Sequence, residues 1–305
     1  MPENKVKLIT NPNSDLGRAW RISADLRPIV QEFGGADWAG TVYPTHAIDL
    51  ARQAAEEGYE LVVAAGGDGT IHEVINGLMQ VPAEQRPRLG IVPLGTGNDF
   101  AHAVGMPEDP NLALRKIFLG KPKPVDIGKI EDNLGRCEYW DNTVGIGFDA
   151  TVTTRLHKYT YLRGTFAYLV AVLQTIILNH ETPFLKFSSD EENWNAKTFM
   201  LVLCNGDREG GGFRVAPDAR VDDGIIDYAT VGPISRPFVL RLVPEVMRGT
   251  HGRFSQVRMG TFRRVEIESD MPLMVHMDGE IFSGFGVDLH KLVVEVLPGA
   301  IEVMG

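Results

Sequence analysis

Two short segments combine glycine with an acid in a way that narrows the chemistry open to them. Residues 64–78 read AAGGDGTIHEVINGL, and residues 93–104 read PLGTGNDFAHAV. Each follows an apolar run and opens a pattern of helical period, so each reads as a strand-to-helix turn. In such a turn glycine lets the backbone bend sharply and approach a ligand, and the N–H groups of the first helical turn favour an anion. A phosphate-cradling loop usually carries a lysine, yet here Asp68 and Asp99 stand in the corresponding places. A carboxylate beside a phosphate is repulsive unless a cation separates them. Hard oxygen donors suit Mg²⁺, which bridges phosphate oxygens, so the paired acids predict a divalent metal acting with a polyphosphate.

The elements that must position these turns follow from the surrounding pattern. Up to about Asn111, β-branched runs at Val6–Thr10, Gly40–Tyr43, Leu61–Ala65 and Leu89–Val92 alternate with helical patterns, the signature of an α/β domain with a parallel, doubly wound sheet. The run LVVAA is apolar throughout, as a central strand covered on both faces would be. Ligands bind such sheets beyond the carboxyl ends of the strands. That directs attention to Asn11-Pro12, Thr41–Thr45, Gly66–Thr70 and Pro93–Asp99. The Thr70-x-x-Glu73 spacing is that of a capping box and predicts a helix starting at Thr70, with Ile71, Val74, Ile75 and Leu78 on one face.

Past Lys121-Pro122-Lys123-Pro124, which reads as a hinge, strand-like runs take over at Lys197–Cys204, Gly224–Val231, Val265–Glu268, Leu273–Met277 and Leu292–Val296. They predict a β-rich second domain, a sandwich, with helices only at Thr165–Leu178 and Pro237–Arg248. The expected domains are 1–124, nucleotide-binding, and 125–305, carrying the acceptor, with the active site in the cleft where they meet.

Composition excludes several classes. A net charge of -10 argues against general nucleic-acid binding, which needs a basic face. The two cysteines, Cys137 and Cys204, show no metal or disulfide spacing, and His46, His102, His251 and His290 have no zinc-ligand spacing. The N-terminus lacks the apolar core of a secretion signal, and the longest oily stretch, TFAYLVAVLQTIIL, is too short to span a bilayer, so a cytoplasmic protein is expected.

GGDGTIHEVINGL followed by PLGTGNDFA, with Asn11-Pro12 closing the first strand, resembles the diacylglycerol kinase catalytic domain and the bacterial lipid kinases built on it. The likeness continues through Asp126 in PVDIG, the segment APDARVDDGIIDY, and DGE at Asp278–Glu280. The resemblance implies an ATP-dependent lipid kinase acting on diacylglycerol or a related lipid at the inner membrane face, with Mg²⁺ and without nucleic acid. It implies that Asn11, Thr41, Gly66, Gly67, Asp68, Gly69, Thr70, Gly95, Thr96 and Asn98 bind the nucleotide. Asp68, Asp99 and Asp126 would form a magnesium-linked acidic network. A structural metal would sit at Asp223 with the carbonyls of Arg220 and Ile225. Asp278 and Glu280 match the catalytic pair, with Glu280 as general base. His72 departs from the asparagine found in many members.

Without the resemblance some segments stay ambiguous. DARVDDGIIDY lacks the regular spacing of a calcium loop and reads as readily as an acidic turn, while Asp-Gly between strand-like runs is a hairpin signal. Arg155, His157, Lys158 and Arg163, interleaved with Tyr159 and Tyr161, form a basic cluster before the oily stretch. That pair of features is either a membrane-interfacial surface or a core helix with a solvated start. Two other functions compete: a soluble-substrate kinase of the NAD kinase type, and a nucleotide-binding regulator without catalysis. Oligomeric state is left open, a homodimer included.

Overall fold

The computed structural model describes residues 5–157 and 164–305, so Lys158, Tyr159, Tyr161 and Arg163 of the basic cluster lie outside the described residues. The chain divides into two compact units. The first runs to Ile127 and includes Val221–Asp223 and Leu297–Gly305; the second comprises Gly128–Arg220 and Gly224–Val296.

The first unit alternates β1 (Val6–Thr10), α1 (Arg18–Glu32), β2 (Asp37–Gly40), α2 (His46–Glu56), β3 (Leu61–Gly66), α3 (Asp68–Leu78), β4 (Arg88–Pro93), α4 (Asp99–Ala103) and α5 (Pro110–Leu119) before β5 (Pro122–Asp132) leads out of it. Its strands pair in parallel in the order β2-β1-β3-β4, and α1 packs with α5 while α2 packs with α3. All six residues of β3 are buried, which is why that run carries no polar alternation. Because the chain reverses direction of winding at β1, the carboxyl ends of β1 and β3 form the switch point where open sheets leave a crevice.

In the second unit the strands β6 (Cys137–Trp140), β7 (Thr143–Gly147), β8 (Phe184–Ser189), β9 (Asn193–Lys197), β10 (Met200–Cys204), β11 (Ile226–Val231), β12 (Val257–Phe262), β13 (Arg264–Ser269), β14 (Val275–Met277), β15 (Glu280–Ser283) and β16 (Lys291–Met304), whose residues from Leu297 on belong to the first unit, accompany α6 (Phe148–Leu156), α7 (Gly164–Leu178) and α8 (Arg236–Arg248). One antiparallel sheet has the order β12-β11-β10-β7-β14-β15, and β16, β13, β8 and β9 pair successively antiparallel in the other. Strand alternation sorts β10 between two cores. Leu201 and Leu203 enter the core shared by the two sheets, whereas Val202 and Cys204 pack with α6, α7 and α8 on the opposite face. The result is a sandwich with one sheet additionally covered by helices.

Several local expectations are corrected. The second strand is Asp37–Gly40, not Gly40–Tyr43, because Thr41–Thr45 turns: Thr45 has φ 70° and Val42 is 79% exposed. The Lys121–Pro124 stretch is no hinge but leads into β5, with Pro122 at the first strand position, where a missing N–H is tolerated. Lys197–Cys204 splits into the end of β9 and β10. The helix of GGDGT begins at Asp68, and no side chain caps it.

Glu73 does not complete the expected capping box. Its carboxylate reaches sideways and accepts the N–H groups of Thr45 (2.9 Å) and Ala47 (3.0 Å), so it caps α2 from the neighbouring helix. Glu73→Ala should therefore lower the stability of the folded chain by about 1–2 kcal/mol, the usual cost of a lost cap. Urea unfolding checks this, and an unchanged midpoint would show that the carboxylate does not hold α2.

Candidate active site

Asp68 ends the first glycine turn, and its carboxylate is committed to backbone. One oxygen accepts the N–H of Asn98 and the other the N–H of Asp99, both at 2.8 Å. Asn98, held at φ 55°, accepts the Gly95 N–H through Oδ1 and donates Nδ2 to the Gly95 carbonyl, each at 2.9 Å. Leu94 N–H donates to the Gly66 carbonyl at 2.7 Å. The two loops are thus one hydrogen-bonded body.

This close approach explains the glycines. A Cβ on Gly95 would lie 2.4 Å from the Gly67 Cα, and one on Gly66 would lie 2.4 Å from Thr70 Oγ1. A Cβ on Gly97 would fall 2.6 Å from an Asp68 carboxylate oxygen and 3.4 Å from one of Asp99. The space beside Gly97 is therefore a cradle flanked by two carboxylates, and like charges so placed call for a cation. Its donor set of carboxylate oxygens suits Mg²⁺.

The remaining expected residues of this unit sit at the same strand ends or apart from them. Asn11 follows β1, donates its N–H to Ala65 O (3.3 Å) and caps its own turn by accepting Asn13 N–H (3.0 Å). Thr41 follows β2, is buried, and donates its N–H to Thr10 O at 2.9 Å. Gly69 and Thr70 lie in the first turn of α3, and Thr96 is exposed in the second loop. Asp126 lies in β5, away in sequence from both loops. It is buried, its Oδ1 accepts Gly299 N–H (2.7 Å), and its own N–H donates to Val221 O (2.7 Å). Val221 opens the turn holding Asp223, which is exposed together with Arg220, while Ile225 is half-buried ahead of β11. His72 is buried on α3, with Nε2 3.3 Å from Asn76 Nδ2.

In the second unit the Asp-Gly signal is a two-residue hairpin between β14 and β15, with Asp278 at φ 49° and Gly279 at φ 85°. Positive φ at both centres is the type I′ geometry that suits the strand twist. The Asp278 carboxylate is buried and accepts three backbone N–H groups, those of Asp141 (3.0 Å), Asn142 (2.9 Å) and Thr143 (3.0 Å). It anchors the hairpin to the β6–β7 connection. Glu280, two residues on, is exposed, and its carboxylate makes no hydrogen bond or ion pair among the described residues. A fixed hairpin thus presents a carboxylate able to take a proton.

A second constellation escaped the sequence reading. Asp149, in the first turn of α6, accepts His276 Nε2–H of β14 at 2.6 Å, and a Glu209 carboxylate oxygen lies within 4.8 Å of both. All three side chains are buried. A Cβ on Gly145 would lie 2.1 Å from Asp149 Oδ2, so only glycine leaves room for the pair. Burial by itself disfavours the imidazolium, but the charge and hydrogen bond of Asp149, with Glu209 and Asp278 nearby, outweigh it and raise the His276 pKa. The signal was present in TVGIGFDA, a third strand that runs through glycine into a helix opening on an acid.

Asp149 and Glu209 stand on the wall of a small pocket whose cavity volume is about 50 Å³ and which opens to solvent. Otherwise its lining is apolar: Phe148, Val172, Phe199, Phe213, Val239 and Leu242 are among its residues, drawn from α6, α7, α8 and the sheet below. An apolar slot with acids at one place suits a ligand with a hydrocarbon body and a polar head.

Comparison with known proteins gives two family matches. The diacylglycerol kinase catalytic domain family matches residues 5–130, and the YegS C-terminal NAD kinase beta sandwich-like domain matches residues 142–305. A diacylglycerol kinase of Bacillus subtilis (strain 168) is 30% identical over 308 residues, 96% of this chain and 96% of its own. A probable lipid kinase YegS-like protein of Chromohalobacter salexigens is 35% identical over 235 residues, 76% of this chain and 73% of its own. A crystal structure from Bacillus anthracis str. Sterne, whose name includes the words diacylglycerol kinase, superposes with a TM-score of 0.78 at 25% identity, covering 100% of this chain and 98% of that one.

Two measurements test the site as built. Asp68→Ala leaves two amides without their charged acceptor and should cost roughly 2–4 kcal/mol in urea unfolding; a loss below the error of the fit would dissociate the loops from this carboxylate. The His276 pKa is raised above its unfolded value of 6.5, so the pair's stabilisation is complete below that pH and is lost as pH rises through the folded value. His276→Gln should consequently destabilise more at pH 6 than at pH 9, and an equal loss at both would mean that no proton is held there.

Proposed function

Because the chain belongs to the diacylglycerol kinase catalytic domain family and carries its YegS-type C-terminal domain, we propose that it transfers the γ-phosphate of ATP to a hydroxyl of diacylglycerol or a related lipid. Kinase-family membership supports phosphotransferase chemistry. The lipid acceptor is supported above all by the apolar cavity that meets Asp149 and Glu209 in the same unit as Glu280. A soluble dinucleotide would have no use for a slot of that polarity.

The roles follow from the groups. The acyl chain enters at this pocket as its apolar side chains part to admit it, and Asp149, Glu209 and His276 orient the polar end by hydrogen bonding. Glu280 accepts the hydroxyl proton as the acceptor oxygen bonds to the γ-phosphorus. The bond from that phosphorus to the bridging oxygen breaks, and ADP departs with the electron pair. The N-terminus of α3, which no side chain caps, suits the phosphates, with Gly66, Gly67, Gly95, Thr96 and Asn98 forming the loops around them and Asn11 and Thr41 at the neighbouring strand ends. Asp68 and Asp99 would hold Mg²⁺ beside Gly97, where it would neutralise charge on the transferring phosphate. Asp126 is assigned to the same acidic network, and Asp223 with the carbonyls of Arg220 and Ile225 to a structural cation. Asp278 acts through the hairpin and is a positioning residue.

No helix among the described residues is long and apolar enough to cross a membrane. The lipid-acceptor reading assigns the protein a peripheral role at the inner membrane face, where it would meet its substrate at the lipid surface.

A radiolabelled γ-phosphate assay against a panel of glycerolipids and sphingoid bases, with NAD as soluble control, decides among acceptors. Label is expected in a lipid; label in NAD alone would favour the NAD kinase reading, and label in neither would favour a non-catalytic regulator. Glu280→Gln should melt like the parent and lose on the order of a hundredfold to ten-thousandfold in turnover. Parent-like turnover in that variant would remove Glu280 from the role of base.

A further inference from the structure

We propose that the outward face of α8, continued by the end of α7, is the surface by which this protein docks on an anionic lipid bilayer; the lipid-kinase reading supplies the purpose of docking but not the argument for it. The first observation is charge. Between Ala229 and Val265 the chain holds seven arginines, no lysine and a single acid, Glu245, within a protein of net charge -10. Glu245 is buried, and its carboxylate is taken by Arg253 and Thr250, each at 2.6 Å. Arg258 and Arg263 face Glu192 and Glu191 at 3.6 and 3.4 Å. The arginines of α8 itself are placed otherwise. Arg236 donates to the Ile177 carbonyl at 3.2 Å, Arg241 lies over the Phe254 ring, and Arg248 approaches, among the described residues, the already engaged Glu245 at 3.8 Å.

The second observation is where these cations stand. Positions 237, 240, 241, 244, 247 and 248 share one exposed face at helical spacing, while Val239, Leu242 and Val246 point into the core. Leu240 and Met247 are 48% and 46% exposed on that same face. On α7, joined to α8 through the Arg236–Ile177 bond, Ile177 and Leu178 are 65% and 63% exposed. Scattered surface apolar residues need no explanation. Apolar residues interleaved with arginines, with no acid among them, are the composition of an interfacial helix.

The third observation is what lies beneath. Val239, Leu242, Val243 and Val246 of α8, with Val172 of α7, line the apolar cavity, so the two helices roof it. Seating their outer face in a lipid headgroup layer lays that roof against the hydrocarbon boundary from which an acyl chain would come. Two copies of the same arginine face repel, which sets the bilayer above a second copy as occupant.

The test is flotation of the full-length protein with vesicles of phosphatidylcholine alone or mixed with phosphatidylglycerol. Binding is expected to the mixed vesicles only and to weaken at high salt. Each arginine near an anionic surface is worth about fivefold in binding, so Arg241→Glu/Arg248→Glu should bind at least about twenty-fivefold more weakly. Arg241→Lys/Arg248→Lys should float like the parent, and all three proteins should phosphorylate a short-chain, water-soluble acceptor equally. Flotation unchanged in the glutamate variant, equal binding to neutral vesicles, or a dimer that the variant dissociates while vesicle binding persists would each overturn the proposal. Charge-dependent flotation of a protein that phosphorylates no lipid would sink the kinase reading and leave the docking face standing.

Discussion

The Asp68 carboxylate, accepting two successive backbone N–H groups from the second glycine loop, is the contact on which the first unit of this molecule depends. A carboxylate with both oxygens on amides cannot swing away, so the loops after β3 and β4 move as one piece. The glycines then become necessary for packing as well as for ligand approach. Gly67 and Gly95 touch through backbone, and any side chain at Gly95 would push the loops apart. Because Asp68 is turned toward the second loop, it also meets Asp99 at the space beside Gly97. The interaction that builds the loops thereby also brings the two carboxylates together.

The second unit repeats the device with other residues. Asp278 gives its carboxylate to three amides of the β6–β7 connection, and this fixes the hairpin that carries Glu280. A buried charge is costly unless hydrogen-bonded, and three donors satisfy it. The exposed Glu280 keeps its oxygens for solvent or substrate. A division results in which one acid of the DGE segment secures geometry and the other stays exposed. Asp149 follows the same logic at the polar end of the apolar cavity, where His276 meets its charge and Gly145 gives the pair room.

Much of this was legible before any coordinates. The parallel sheet, the two loops, the sandwich and the Asp-Gly hairpin follow from local pattern, because strand period, glycine punctuation and turn chemistry act over a few neighbouring residues. The charge asymmetry between Ala229 and Val265 is equally open in the sequence, but the whole-chain net charge of -10 masks it. The second strand is expected too late, at Gly40–Tyr43, because Thr, Val and Tyr are good strand formers that serve here in an exposed loop. Glu73 was misassigned for a different reason: the spacing to Thr70 permits a capping box, but the amides of Thr45 and Ala47 on the adjacent helix are the better acceptor's partners in space.

What the sequence alone determined is therefore the set of elements and the types of group at their ends, since both are set by contacts close along the chain. Only the tertiary structure decided which group each acid serves. Asp68 with Asn98, Asp126 with Gly299, and Asp149 with His276 are partners separated by long stretches of chain. Their pairing depends on sheet order and helix packing, which place residues distant in sequence within hydrogen-bond reach and leave no trace in any local window.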